Sequence, residues 1–248
     1  MIRLIRAELT KLATTRLIYG LAAAMAAFAA LTVAANILDR QGAPPLAADS
    51  FPMLVGGPVT LLSGAALLLG ILGMAGEFRH QTVTQTFLVT PDRGRVVAAK
   101  LVAYPLAGIA LALVILVFTA AVATGWLAAK GITPSLLTAN AIAWVLVGAV
   151  LAAGLCALIG VGVAALIRNQ VAALVGVAVW VLVVEGLLMS LLNIPSSLAK
   201  WLPSAAAAAL TNPGGGHLSR LAGALLLAAY ALALAAAGTR LVVRRDIT

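Results

Sequence analysis

The chain has 248 residues, of which 63% are apolar and 9% are charged, and its mean hydropathy is +1.13. Soluble domains carry roughly 25% charged residues, so this composition excludes an ordinary soluble domain and predicts an all-α, polytopic membrane protein. The net charge of +9 does not indicate nucleic-acid binding, because the basic residues lie at the ends of apolar runs and not on one soluble face.

Residues 1–16 are predicted to form an amphipathic helix at the membrane interface. Its apolar side chains, Ile2, Ile5, Leu9 and Leu12, recur at helical spacing, whereas the basic residues fall elsewhere on the helical wheel. This segment and the apolar run after it could also be a secretory signal. We interpret the run as a membrane span, because its length is sufficient to cross the bilayer.

Six transmembrane helices are predicted within a single domain of residues 1–248. Their approximate bounds are 17–38, 54–75, 96–128, 136–167, 171–192 and 219–239. The third and fourth are longer than a bilayer requires, and Pro105 is a candidate bend in the third. The loop 193–218 combines apolar residues, prolines and Trp201, which predicts a short re-entrant or interfacial element before the last helix.

The distribution of Lys and Arg predicts the orientation of the chain. Counted on alternate sides of the six spans, twelve of the sixteen basic residues lie on the side of the two termini and four lie on the other. Short cytoplasmic loops carry the excess of basic residues. We therefore expect a multi-pass protein of the cell membrane with both termini, and the loop 77–95, in the cytoplasm.

Small residues recur in or directly beside the predicted spans at spacings of three to eight. The two sets are Gly70, Gly73 and Gly76, and Gly148, Ala152 and Gly160. Such spacing is typical of close helix packing, although it arises easily in a chain rich in Ala and Gly.

Residues suited to catalysis or metal binding are not brought together by this topology. His80 and His217 are predicted on opposite sides of the membrane, and Cys156 lies inside an apolar run as a packing residue. The sequence contains no G-x-x-x-x-G-K-[ST] phosphate-binding motif. We therefore expect neither an enzyme nor a metal site, and any ATP would be bound by another subunit.

Glu185 is the one acidic residue inside an apolar run. A carboxylate within the bilayer costs several kcal/mol unless it is paired, hydrated or protonated. Two interpretations are open: Glu185 lies on a substrate cavity, where it attracts a cation or takes up a proton, or it is hydrogen-bonded inside the helix bundle.

The loop 77–95 is the polar interruption between the second and third spans. Near its middle, Phe87, Leu88 and Val89 are apolar, which a solvated loop would not need. An apolar patch in a charged loop indicates a surface that contacts another protein.

The whole chain resembles the permease subunits of type-2 ATP-binding cassette (ABC) exporters. The resemblance lies in the order of an amphipathic helix, six spans and a proline-broken loop, WLPSAAAAAL, before the last helix. Its most specific part comprises Glu77, Arg79, Thr82, Pro91, Arg93 and the basic residue Lys100.

This resemblance implies that the chain forms a transmembrane dimer in the lipid bilayer, either with a second copy of itself or with a sibling permease. It further implies two cytoplasmic ATPase subunits that bind ATP and Mg. It also implies a coupling helix, which would fall within about 81–89 and centre on Thr86, Phe87, Leu88 and Val89. The substrate would be a lipid, drug or peptide, and the direction efflux. Two rival functions are a non-transporting assembly or regulatory subunit and a proton-coupled secondary transporter that uses Glu185.

Overall fold

The computed structural model of the chain describes residues 1–38, 54–55, 58–79, 92–132, 139–190, 196–211 and 218–244. Within these ranges every regular element is a helix, and six helices are long and apolar enough to cross a membrane. The prediction of an all-α polytopic membrane protein is confirmed.

The helices are, in chain order, α1 (Ile2–Thr14), α2 (Arg16–Leu38), α3 (Val59–Arg79), α4 (Arg93–Ala129), α5 (Ala139–Ile167), α6 (Gln170–Ala178), a π-helical segment (Val179–Val184), α7 (Glu185–Ser190), α8 (Ser196–Ala199), α9 (Pro203–Thr211) and α10 (Arg220–Arg244). The candidate spans are α2, most of α3, α4, most of α5, the continuous run from α6 into α7, and α10.

A sharp bend separates α1 from α2. Thr15, in extended conformation, lies between the two helices, and its hydroxyl donates to the Leu12 carbonyl at 2.8 Å. The Tyr19 hydroxyl reaches back to the Ala13 carbonyl, also at 2.8 Å. These bonds serve carbonyls at the end of α1 that have few partners within the helix, so the bend is chemically satisfied.

Helix α1 packs against α4 through the face that carries Glu8 and Leu12, which are both buried. Ile2, predicted on the apolar face, is 83% exposed. The side of α1 that contacts protein therefore includes a carboxylate.

The centre of the bundle is α5, which packs against α3, α4, α9 and α10. Its buried positions are largely small residues, among them Ala152, Ala153 and Ala157. Small side chains let helix backbones approach closely, which favours association where lipid supplies no hydrophobic drive. By contrast, α2 and the α6–α7 run are mostly exposed.

Two helices extend further into the predicted loop 77–95 than expected. Helix α3 includes Glu77 and ends at Arg79, and α4 starts at Arg93, directly after its N-cap Asp92. Residues 80–91 lie outside the described part of the chain. Helix α4 has 37 residues and continues through Pro105, which makes it about 55 Å long at 1.5 Å per residue. It therefore exceeds a hydrocarbon core of ~30 Å.

Two short helices, α8 and α9, lie in the loop before α10, where a re-entrant or interfacial element was predicted. Helix α9 begins at Pro203, a residue favoured in the first turn because the missing N–H has no helical partner there. It packs against α5 and α10, which explains the apolar composition of this loop.

The backbones of α3 and α5 approach each other closely at two glycines. A Cβ atom added at Gly70 would lie 2.1 Å from the Ala157 carbonyl oxygen, and one at Gly160 would lie 2.1 Å from that of Leu67. Added at Gly76, on the same helix as Gly70, a Cβ would meet no described atom within 4 Å. The predicted small-residue packing therefore holds at Gly70 and Gly160, and Gly76 takes no part in this crossing.

We expect Gly70→Ala to lower the free energy of unfolding by about 1–3 kcal/mol, because the methyl group forces α3 and α5 apart. The matched control, Gly76→Ala, should be neutral or stabilising by up to about 1 kcal/mol through helix propensity. Thermal unfolding of both variants in the same lipid would measure the difference. Equal effects of the two substitutions would contradict this account of the crossing.

Candidate functional site

Four ionisable side chains meet where α1, α3 and α4 converge. We call Glu8, Lys11, Glu77 and Lys100 the ionic cluster. The Lys100 ammonium lies 2.6 Å from Glu8 Oε2 and 3.0 Å from Glu77 Oε1. The Lys11 ammonium also bonds Glu77 Oε1 and lies 3.9 Å from Glu8 Oε1. Each lysine thus touches both carboxylates.

Burial decides how strongly these charges depend on one another. The Lys100 side chain is 1% exposed, Glu77 5% and Glu8 10%, whereas Lys11 is 45% exposed. With all four groups ionised the cluster is neutral. A buried ion repays its desolvation only when paired in good geometry, so removing one partner leaves an uncompensated charge. Lys100 matters most, because it is the buried cation between two buried carboxylates.

Tyr104 lies one turn after Lys100 on α4, and its ring packs against the ionic cluster. Its ring centroid lies 5.6 Å from the Lys100 ammonium, a distance at which a cation is attracted to an aromatic face. The ring fills the space left by Gly73 on α3, where a Cβ would lie 1.7 Å from a ring carbon. Because Gly73 has no side chain, the Tyr104 ring fits between α3 and α4.

The predicted coupling residues divide between helix ends and the undescribed segment. Glu77 is buried in the ionic cluster and does not lie in an exposed loop, whereas Arg79 is exposed at the end of α3 and Arg93 is partly exposed at the start of α4. Those that lie outside the described residues are Thr82, Thr86, Phe87, Leu88, Val89 and Pro91.

Asp92 fixes the start of α4. Its Oδ1 accepts from the Arg95 backbone N–H at 3.1 Å, and its Oδ2 lies 3.0 Å from Arg95 Nε. A carboxylate here satisfies a free helix donor and interacts favourably with the helix dipole. The segment 80–91 is thus bounded by a helix end tied to the ionic cluster and by a capped helix start.

Arg168 joins two further helices at the same end of the bundle. It adopts a positive φ of 54° in the turn between α5 and α6, and its guanidinium donates to the Leu241 carbonyl of α10 at 2.7 Å. The guanidinium also lies 6.0 Å from the ring centroid of Phe78, which is the residue after Glu77 on α3. The Arg168 side chain therefore connects α3 with α10.

A cavity of about 600 Å³ lies between α3, α5, the α6–α7 run, α9 and α10. Its lining is apolar except for a few groups that include Ser63, Ser204 and Glu185. Pockets of this size and composition hold drug-sized apolar molecules. We call it the Glu185 cavity.

Glu185 is a buried carboxylate with hydrogen-bond partners in the bundle, and it borders this cavity. The residue is 4% exposed. The Trp180 indole N–H donates to Oε1 at 2.8 Å, and the Ser204 hydroxyl bonds Oε2. Trp180 and Glu185 are five residues apart and joined through the π-helical segment, whose wider turn brings residues at this spacing together.

Sequence reasoning missed several of these residues. Glu8 lies four residues before Leu12, and this spacing places it on the face of α1 that packs against α4. Nothing in the local sequence indicated the π-helical segment or the contact with Ser204. Among the described residues, no three His, Cys, Asp or Glu side chains are grouped to hold a metal ion.

Comparison with known families identifies the family of this chain. A family model described as "ABC-2 family transporter protein" matches residues 4–185, well over half of the chain. This range contains the complete ionic cluster and ends at Glu185. No curated protein matches the chain.

We expect Lys100→Met to lower the free energy of unfolding by about 3–5 kcal/mol, because two buried carboxylates would then share one partly exposed ammonium. The matched control is Arg95→Met on the same helix, which breaks a pair whose partners are 68% and 53% exposed. Exposed pairs contribute about 0–1 kcal/mol, so this variant should unfold near the wild-type temperature. Thermal unfolding in lipid would measure both. Similar losses of stability in the two variants would contradict this account, because a buried ion pair would then stabilise the protein no more than an exposed one.

Proposed function

The chain belongs to the ABC-2 transporter family and is the membrane permease subunit of an ABC transporter, and we propose that it exports a hydrophobic or amphipathic substrate. The family places ATP hydrolysis on a separate ABC ATPase subunit. ATP and Mg would be bound there, since this sequence contains no phosphate-binding loop of the Walker type. The apolar Glu185 cavity supports a substrate class of lipids, drugs or peptides.

The segment 80–91 between α3 and α4 is the proposed docking site for the ATPase. The observation that carries this proposal is the ionic cluster, which ties the end of α3 and the first turns of α4 to α1. A force applied to the segment would therefore act on three helices together. Docking would use the apolar residues Phe87, Leu88 and Val89, flanked by Arg79 and Arg93 at the two helix ends.

Closure of two ATPase subunits on nucleotide would move this segment in each of two permeases. Rigid-body displacement of packed helices is a common way in which such a closure becomes a switch between two arrangements of a membrane domain. The exposed apolar surface of the α6–α7 run, which includes Val171 at 62% and Leu182 at 75% exposure, is suited to a second permease. That partner would be a second copy or a sibling chain.

The orientation proposed here places the segment 80–91 and both termini in the cytoplasm. Twelve of the sixteen basic residues lie on that side of the six spans, which is the distribution expected for cytoplasmic loops.

We expect Leu88→Asp to abolish stimulation of the partner ATPase by the permease, because a charge would replace an apolar contact within the docking site. The control is Leu198→Asp, the same substitution at a 60% exposed site separated from the segment by three spans, hence on the opposite side of the membrane. ATPase activity of the purified complex in lipid would be measured for both variants.

Retained coupling in a folded Leu88→Asp complex would overturn the placement of the docking site. Loss of coupling in Leu198→Asp alone would put the ATPase on the other side, and would reverse the proposed orientation as well.

A further inference from the structure

Among the described residues, Glu185 differs in its neighbours from the other two buried carboxylates, Glu8 and Glu77. Glu8 and Glu77 are each contacted by two lysine ammonium groups. Glu185 is contacted by an indole N–H and a hydroxyl, which are neutral donors. Among the described residues that line its cavity, none is Lys, Arg or His.

Neutral donors orient a carboxylate without cancelling its charge. In an apolar surrounding, the attraction between a carboxylate and a cation is much stronger than in water. A buried charge without a counter-charge costs free energy. A cation bound in the cavity would supply Glu185 with the counter-charge that lysine supplies to Glu8 and Glu77. The charge of the cavity is therefore complementary to a positively charged guest.

The carboxylate is held in a way that leaves room for such a guest. Trp180 binds one oxygen and Ser204 binds the other, while each carboxylate oxygen can accept more than one hydrogen bond or charge contact. Both donors lie in helical segments, the π-helical segment and the first turn of α9. The group is thus oriented before any ligand arrives.

Aromatic side chains of the same cavity add to this preference. Trp180 and Tyr230 both line it, and the Tyr230 hydroxyl is fixed by donation to the Trp201 carbonyl at 3.0 Å. Indole and phenol rings attract organic cations through their faces. The remaining wall is aliphatic, and about 600 Å³ suits a drug-sized apolar body.

We infer that the Glu185 cavity binds lipophilic organic monocations, with the positive centre near the Glu185 carboxylate and the apolar body against the aliphatic wall. This inference deepens the proposed export function and rests on it for its physiological meaning. The binding itself requires only the folded permease.

The test uses two probes of nearly the same shape and opposite charge, tetraphenylphosphonium and tetraphenylborate. Equilibrium binding to the full chain in lipid nanodiscs would be measured against empty nanodiscs, which corrects for partition into lipid. The wild-type chain should bind the cation about tenfold or more tightly than the anion, because only the cation is attracted to the carboxylate.

Glu185→Gln should remove this preference by weakening cation binding about tenfold, since Gln keeps the shape and can accept from Trp180 but carries no charge. The matched control is Asp92→Asn, which removes one negative charge from a 53% exposed side chain outside the cavity and should leave cation binding unchanged. Thermal unfolding of each variant would confirm that it is folded.

Equal binding of the two probes by the wild-type chain, or cation binding that survives Glu185→Gln in a folded protein, would overturn the inference. Measuring the ATPase activity of the full complex distinguishes a failure of this inference from a failure of the proposed export function. Cation-selective binding that depends on Glu185 supports the site even if no probe changes ATP hydrolysis, in which case the export proposal fails alone. Equal binding of the two probes, together with stimulation of ATP hydrolysis by neutral amphiphiles, overturns the site and leaves export standing.

Discussion

Two carboxylates and two ammonium groups meet where α1, α3 and α4 converge, and their mutual neutralisation is the constraint on which the rest of the architecture depends. Glu77 lies in a helix otherwise apolar enough to cross a membrane, and its carboxylate would be costly there without Lys100 and Lys11. Lys100 would be equally costly without its two carboxylates. The cluster thus allows α3 to remain helical up to Arg79. It also binds α1, which is not one of the candidate spans, to the membrane-spanning helices.

Helix α3 connects this cluster with the cavity. Glu77 lies near one end of the helix, whereas Leu61 and Leu67 line the Glu185 cavity further along it. Between these positions, Gly70 is in close backbone contact with α5. Packed helices of this kind shift as bodies because their interiors are close to crystal density and deform little. A displacement of the segment 80–91 would therefore reach the cavity through α3, which is the physical content of coupling in the proposed export cycle.

The sequence predicted the fold class and the six spans because transmembrane helices are defined by length and hydropathy, which are local properties. It also located Glu185 as the charge that needs explanation. It could not predict that Glu8 meets Lys100, because the two residues are 92 positions apart and only tertiary packing brings them together. The π-helical segment escaped for a related reason. Its residues, VWVLVV, are as apolar as any other part of a span, and nothing in them signals the wider turn or the bond from Trp180 to Glu185.

The central claim is that the ionic cluster transmits force from the docking segment to the spans. The most direct measurement is substrate-stimulated ATPase activity of the complex in a cycle of Lys100→Met, Glu77→Gln and the double variant, assayed where all are folded. The account predicts that Lys100→Met loses stimulation and that adding Glu77→Gln restores a large part of it, since one buried carboxylate would then face one ammonium. Full stimulation in the folded Lys100→Met complex, or a double variant no better than that single one, would contradict the claim.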